Sequence, residues 1–203
     1  MSIVLGSFYA GNIDYYCALS TGQDIIIDTY QHFQKQSYRN RCVIAGANGR
    51  LNLIVPVQRK RGKSPLKEVK IENHQNWKKI HWKSLESAYR TSPFFEYYEH
   101  EFHSIFILKK HNYLLDLNND ILNATLKCLQ IEANINFSTS YMDSEESLTD
   151  LRESIHPKKE PSKFYNQPVY DQVFEDRMDH LENLSILDLL FNEGPMASDM
   201  LKK

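Results

Sequence analysis

Short apolar runs separated by polar turns make up the first thirty residues. Ile3-Val4-Leu5 predicts a buried strand, and the β-branched run Ile25-Ile26-Ile27 predicts a second one. Residues 13–21 between them are expected to form a helix, because Asn12 is a preferred N-cap and Gly22 a preferred residue after a helix. Strand, helix and strand form a βαβ unit, which favours parallel pairing and an α/β fold.

A hairpin is predicted next. The apolar runs Cys42 to Ala45 and Leu51 to Val57 flank Gly46-Ala47-Asn48-Gly49, and Asn-Gly is a strong hairpin signal because both residues tolerate positive φ. Residues 66–71 end in an apolar-polar alternation and predict a further short strand.

Helical spacing dominates the second half of the chain. Helices are predicted from Asn73 or Asn76 to Tyr89, from Pro93 to about Lys110, from Leu114 or Asn119 to Gln130, and from Leu184 to Asn192. The first should bury one face made of Trp77, Ile80, His81, Ser84, Leu85 and Ala88. Residues 134–141 predict a late strand, and the polar residues 142–163 are expected to be largely loop.

These elements predict one α/β domain over residues 1–195. It has a small mixed sheet that starts with the βαβ unit and the hairpin, it is packed by helices, and its carboxyl-terminal half is rich in helix. Residues 196–203 are expected to form a disordered tail. With 41% hydrophobic residues the chain can bury a core of its own, which excludes wholesale disorder.

Composition points to a reducing compartment. The 3 cysteines are widely spaced and form no CxxC pair, so neither a disulfide framework nor a zinc ribbon is predicted. No signal-peptide pattern is present, and no apolar run approaches the roughly 20 residues that span a membrane. The cytoplasm is therefore the expected location.

Charge is segregated along the chain. Residues 35–83 contain thirteen Lys or Arg against Glu68 and Glu72, a net +11, whereas residues 84–203 carry a net −10. Such a basic segment favours a phosphorylated or polyanionic ligand. The alternative is that it pairs with the acidic part of the same chain.

The segment from Lys35 to Arg41, which we call the basic tract, opens this region. If it is extended, Lys35, Ser37, Arg39 and Arg41 point to one side, with Gln36, Tyr38 and Asn40 opposite. Three cations and a hydroxyl on one face suit phosphate or carboxylate recognition. The alternative is an edge strand that uses charge to prevent aggregation.

Further candidates lie near the predicted strand ends and on the first long helix. Ser7 and Tyr9 follow the first strand and Asp28 ends the second, at the edge where α/β sheets bind ligands. His81 shares a helix face with Trp77, where a hydrogen-bonded core role is the commoner one. Glu96, His100 and His103 have a spacing similar to that of metal ligands, but they form no HExxH motif and no metal site is predicted.

Several short sequence motifs of this chain together resemble those of one protein family. Lys35-Gln36-Ser37-Tyr38-Arg39-Asn40-Arg41-Cys42, Gly46-Ala47-Asn48-Gly49 and Leu53-Ile54-Val55-Pro56-Val57 resemble the WbqC-like family, particularly its Bacteroidetes-type members. The likeness continues through Ser92-Pro93-Phe94-Phe95, Asp150-Leu151-Arg152, Tyr170-Asp171-Gln172-Val173-Phe174 and Leu184 to Gly194. One departure is Tyr9-Ala10-Gly11-Asn12, where the family typically has a proline turn.

The resemblance implies a transferase in the assembly of bacterial surface polysaccharide, with amino-acyl or glycyl transfer to a nucleotide-linked or phosphorylated sugar. On this hypothesis Lys35, Arg39 and Arg41 bind phosphate and Asn40 orients the substrate. Ser37, Ser7, Tyr9 and Trp77 are further substrate contacts. His81 is the candidate general base, with Asp28 as the alternative. No cofactor is identified.

A rival hypothesis is a nucleic-acid-binding protein that uses Arg59 to Lys63 with Lys67, Lys70, Lys78, Lys79 and Lys83. A non-catalytic scaffold is a third. A pI of about 6.4 and the lack of a known motif argue against nucleic acid as the partner.

Overall fold

The computed structural model describes residues 2–58, 62–143 and 148–202. Its first elements are β1 (Ser2–Gly6), α1 (Ile13–Leu19) and β2 (Ile25–Asp28). Asn12 caps α1, since its side-chain oxygen accepts the backbone N–H of Tyr15 at 3.4 Å. Strands β1 and β2 pair in parallel with Ile3 opposite Ile25. The predicted βαβ unit is therefore confirmed.

The βαβ unit forms the centre of a four-stranded parallel sheet. Strands β5 (Ile135–Phe137) and β6 (Leu148–Asp150) flank it, giving the order β5-β2-β1-β6. The late strand predicted over 134–141 is thus present but shorter. Strand β6 lies within residues 142–163, which were predicted to be largely loop, because its three residues are too few to show an alternation.

The predicted hairpin is confirmed and forms a sheet of its own. Strands β3 (Arg41–Gly46) and β4 (Gly49–Ile54) pair antiparallel, with Gly46 opposite Gly49 and with Gly49 at φ 112°. The α/β class with parallel and antiparallel parts is therefore confirmed. The strand predicted at 66–71 is wrong: Leu66–Glu68 is a turn of 3₁₀ helix, and Lys70 and Ile71 form only isolated bridges.

Helices supply most of the packing around the sheet. They are α2 (Trp77–Tyr89), α3 (Phe95–His103), α4 (Leu114–Leu129) and α5 (Ile186–Glu193), and α3 continues as a π-helical segment, Ser104–Leu108. The predicted buried face of α2 is wrong at Ile80, which is 60% exposed. The buried face turns instead toward Trp82 and Tyr89, which contact other aromatic side chains of the core.

Helix α5 is buried along its length and begins at Ser185, whose hydroxyl accepts the backbone N–H of Leu187. The segment 196–203, which was expected to be a disordered tail, contains α6 (Ala197–Met200), and Ala197 and Leu201 are buried. These two side chains belong to the same apolar core as β1, β2 and the long helices.

Candidate functional site

The basic tract folds as a series of turns rather than as an extended strand. Gln36 has φ 59°, and the hydroxyl of Ser37 donates to the carbonyl of Gln34 at 2.7 Å and accepts from the N–H of Arg39. The prediction of a common face for Lys35, Ser37, Arg39 and Arg41 is therefore wrong. The turns bury Ser37 and Arg39 while Lys35 is exposed.

The basic tract and the turn after β1 lie in contact in the structure. The backbone N–H of Tyr9 donates to the carbonyl of Tyr38 at 2.9 Å. Asn118 of α4 joins them as well, because its amide donates to the carbonyls of Arg39 at 3.0 Å and Ser7 at 3.4 Å. Ser7 and Tyr9 are buried at this junction.

Arg39 is enclosed by protein acceptors. Its side chain is 1% exposed and donates to Gln31 Oε1, Gln34 Oε1 and the carbonyl of Arg152. Its Nη2 also lies 3.0 Å from Glu153 Oε1, whose side chain is 56% exposed. A guanidinium satisfied in this way positions the tract against the carboxyl end of the parallel sheet.

Asp28 is held in a second buried network at that sheet edge. Its Oδ1 accepts the backbone N–H groups of Tyr30 and Gln31 and the hydroxyl of Ser138, at 2.9 to 3.1 Å. Its Oδ2 accepts Arg152 Nη1 at 2.5 Å. Arg152 also binds both carboxylate oxygens of Asp150. These hydrogen bonds hold the turn after β2 and connect it to Ser138 after β5 and to Arg152 after β6. Asp28 therefore has a structural role at this sheet edge.

His81 lies in an aromatic environment behind the tract. Its Nδ1 is 2.7 Å from the hydroxyl of Tyr9, and its ring is 5.2 Å from that of Trp77. Burial lowers the pKa of His81 to about 4, and burial also raises the pKa of Tyr9 well above its usual value. The imidazole is thus neutral near neutral pH and forms a core hydrogen bond. Its predicted role as a base, and that of Asp28, stay predictions.

A cavity of about 810 Å³ opens beside the basic tract, and we call it the cationic cavity. Its volume is within the usual range for small-molecule sites, and its cations are Lys35, Arg41 and Lys70. None of the described residues that line it is acidic. They are Phe33, Lys35, Gln36, Asn40, Arg41, Val57, Gln58, Gly62, Ser64, Val69 and Lys70.

Two adjacent residues that line this cavity each have a buried polar atom without a partner among the described residues. Asn40 is 7% exposed and its amide N–H donates to the carbonyl of Val55, but its Oδ1 accepts nothing from the described residues. The buried Nε of Arg41 likewise donates to none of them. A buried polar atom without a partner costs about 1–3 kcal/mol, and more where the group is charged. Asn40 and Arg41 both line the cavity, where Arg41 contributes positive charge, whereas these two atoms are themselves buried.

The structure thus brings together Lys35, Asn40 and Arg41 of the predicted residues, and the other predicted residues do not line the cavity. The sequence prediction missed the opposite wall. There the N–H of Phe33 donates to the carbonyl of Ser64, and the N–H of Gln58 donates to the carbonyl of Lys70, both at 2.9 Å. In the sequence, the cationic Lys70 between the apolar Val69 and Ile71 could have indicated that an exposed positive charge lies on this wall.

Other site classes receive no support from the described residues. Within ranges 2–58, 62–143 and 148–202, no group of three His, Cys, Asp or Glu side chains is arranged to hold a metal ion. None of the helices in those ranges is both long and apolar enough to cross a membrane. Arg59, Lys60 and Arg61, central to the nucleic-acid hypothesis, lie outside the described residues.

Comparison with known proteins gives one family. The sequence model of the WbqC-like protein family matches residues 9–166, which include the basic tract and both walls of the cationic cavity. Uncharacterized protein Rv1507c of Mycobacterium tuberculosis is 26% identical over 212 residues, an alignment that covers 93% of this chain and 91% of that protein. No solved structure matches the chain.

Proposed function

The chain belongs to the WbqC-like protein family, and we propose that it is a cytoplasmic transferase of bacterial surface-polysaccharide synthesis that binds a phosphorylated or nucleotide-linked sugar in the cationic cavity. The proposed reaction is transfer of an amino-acyl group, such as glycyl, to that sugar. The observation that supports the proposal most directly is the cluster of Lys35, Arg41 and Lys70 in a cavity whose described lining has no acidic residue.

A phosphorylated sugar suits this cavity chemically. Its phosphate oxygens are charged acceptors for the guanidinium of Arg41, and its hydroxyls can hydrogen-bond polar lining residues such as Asn40. Lys35 and Lys70 add positive charge around the same space. In an acyl transfer to the sugar the phosphate is a handle that stays on the sugar, so these cations serve to bind and orient it.

Ligand affinity tests the proposal. We expect sugar phosphates or nucleotide sugars to raise the melting temperature of the protein, because a ligand at a hundred times its Kd adds about 2.7 kcal/mol of stability. Arg41→Gln removes the charged donor and should weaken binding by roughly 10- to 100-fold, the equivalent of about 1.5–3 kcal/mol for a charge-assisted hydrogen bond.

Lys83→Gln is the matched control, since Lys83 is an exposed residue of α2 in the same basic segment and does not line the cavity. It should bind the same ligand as the unaltered protein does. Binding that Arg41→Gln leaves unchanged would contradict the proposal. Retention of nucleic acid that both variants weaken equally, and that falls steeply with salt, would favour the nucleic-acid hypothesis instead.

A further inference from the structure

A second cavity adjoins the cationic cavity. Its volume is about 310 Å³, and two residues, Gln58 and Lys70, line both cavities. Backbone hydrogen bonds fix this shared wall: Gln58 N–H donates to the carbonyl of Lys70 at 2.9 Å, and Glu72 N–H donates to the carbonyl of Pro56 at 2.8 Å. The two cavities therefore adjoin at Gln58 and Lys70, and we call the second one the polar cavity.

The polar cavity differs chemically from its neighbour. Its lining combines the carboxylate of Glu72, the imidazole of His74, the amide side chains of Asn73 and Asn112, and the ring of Tyr113. The negative charge of Glu72 offsets the positive charge of the shared Lys70, so this cavity is less cationic than its neighbour. Glu72 is partly exposed and Tyr113 is 37% exposed, so donors, acceptors and an aromatic face are accessible from the cavity.

We infer that the polar cavity binds the sugar unit, and the cationic cavity the nucleoside diphosphate, of one nucleotide-linked sugar. This inference rests on the proposed function and selects between its two ligand classes. Sugar hydroxyls both donate and accept hydrogen bonds, and amides, a phenol and a carboxylate supply the matching donors and acceptors. The phosphate and the sugar of such a ligand are directly bonded, which fits two cavities that adjoin at Lys70.

The larger cavity favours a nucleotide over a simple sugar phosphate. Besides its three cations it is lined by Phe33, Val57 and Val69, which a bare phosphate group would leave in contact with water. A nucleoside has an aromatic base and an apolar ribose face to cover these side chains, and burying apolar surface favours binding. Lys70 at the junction then lies beside the diphosphate and next to the sugar.

Paired affinities test the inference. Isothermal titration would use UDP, GDP and dTDP, each with one of its sugars, and glucose 1-phosphate as the sugar phosphate. For the base that fits, we expect the nucleotide sugar to bind about tenfold or more tightly than the free nucleotide and than glucose 1-phosphate. Asn112→Ala and Glu72→Gln should each remove most of the sugar's advantage and leave the affinity for the free nucleotide within about twofold.

The matched control is Glu96→Gln, an exposed carboxylate of α3 that lines neither cavity, and it should change neither affinity. Suppose that nucleotides bind, but the polar-cavity variants weaken nucleotide and nucleotide sugar equally or weaken neither of them. The sugar then binds elsewhere, and this inference fails while the proposed function stands. Equal affinity for glucose 1-phosphate and the nucleotide sugars overturns the choice of ligand class. If none of these ligands binds, the proposed function fails with it.

Discussion

Replacing His81 with Gln should change how the stability of the protein depends on pH. Burial holds the pKa of His81 at about 4, well below the value of about 6.5 for an unfolded histidine. Below pH 6.5 His81 is protonated in the unfolded chain, whereas in the folded chain it stays neutral until the pH approaches 4. The neutral His81 therefore stabilises the fold above pH 6.5, and this contribution is lost as the pH falls toward 4.

Proton linkage gives the size of the effect. Between pH 7.5 and 4.5 this one imidazole should lower the free energy of unfolding by about 2.5 kcal/mol, since each unit of difference in pKa corresponds to about 1.36 kcal/mol. His81→Gln removes the titration, so its stability should fall by about 2.5 kcal/mol less than that of the unaltered protein over the same interval. At pH 7.5 the variant should be the less stable of the two, because it disturbs the contact with Tyr9.

Urea unfolding followed by tryptophan fluorescence at several pH values measures both effects. His74→Gln is the control, because the His74 side chain is 97% exposed, and its stability should follow that of the unaltered protein at each pH. If the stability of His81→Gln fell with pH as steeply as that of the unaltered protein, folding would not shift the pKa of His81, and the reasoning from its burial would be refuted.

Two other buried networks give stability predictions. Arg152→Gln should destabilise the fold by about 3–5 kcal/mol because it leaves the buried Asp28 carboxylate without its cation, and adding Asp28→Asn to it should restore part of that loss in urea unfolding. Asp188, whose pKa is raised by burial, accepts the hydroxyls of Tyr89 and Tyr170 at 2.6 Å. Asp188→Asn replaces one acceptor oxygen with a donor and should cost about 1–3 kcal/mol in the same assay, whereas no change in either variant would contradict these roles.

Local patterns were sufficient to predict most of the fold. The βαβ unit, the hairpin and the long helices follow from apolar periodicity, turn residues and caps within about twenty residues of sequence. Strand β6 was not predicted because its three residues are too few to show an alternating pattern. The alternation of Val69, Lys70 and Ile71 led to the prediction of a strand, but Lys70 and Ile71 form only isolated bridges.

The candidate site was only partly predictable because charge does not reveal burial. Arg39 and Arg41 are two residues apart and look equivalent in the sequence. Arg39 is enclosed by Gln31 and by Glu153, 114 residues away, whereas Arg41 lines the cationic cavity. Likewise Asp28 meets Arg152 across 124 residues. Only tertiary packing separates a cation that holds the fold together from one that is available to a ligand.

The most direct test of the central claim is a crystal structure with a bound nucleoside diphosphate or its sugar. The account predicts a phosphate oxygen about 2.7–2.9 Å from the guanidinium of Arg41, inside the cationic cavity that Lys35 and Lys70 also line. It would be contradicted by phosphate bound at the carboxyl end of the parallel sheet, with Glu153 displaced from Arg39 and the cationic cavity empty.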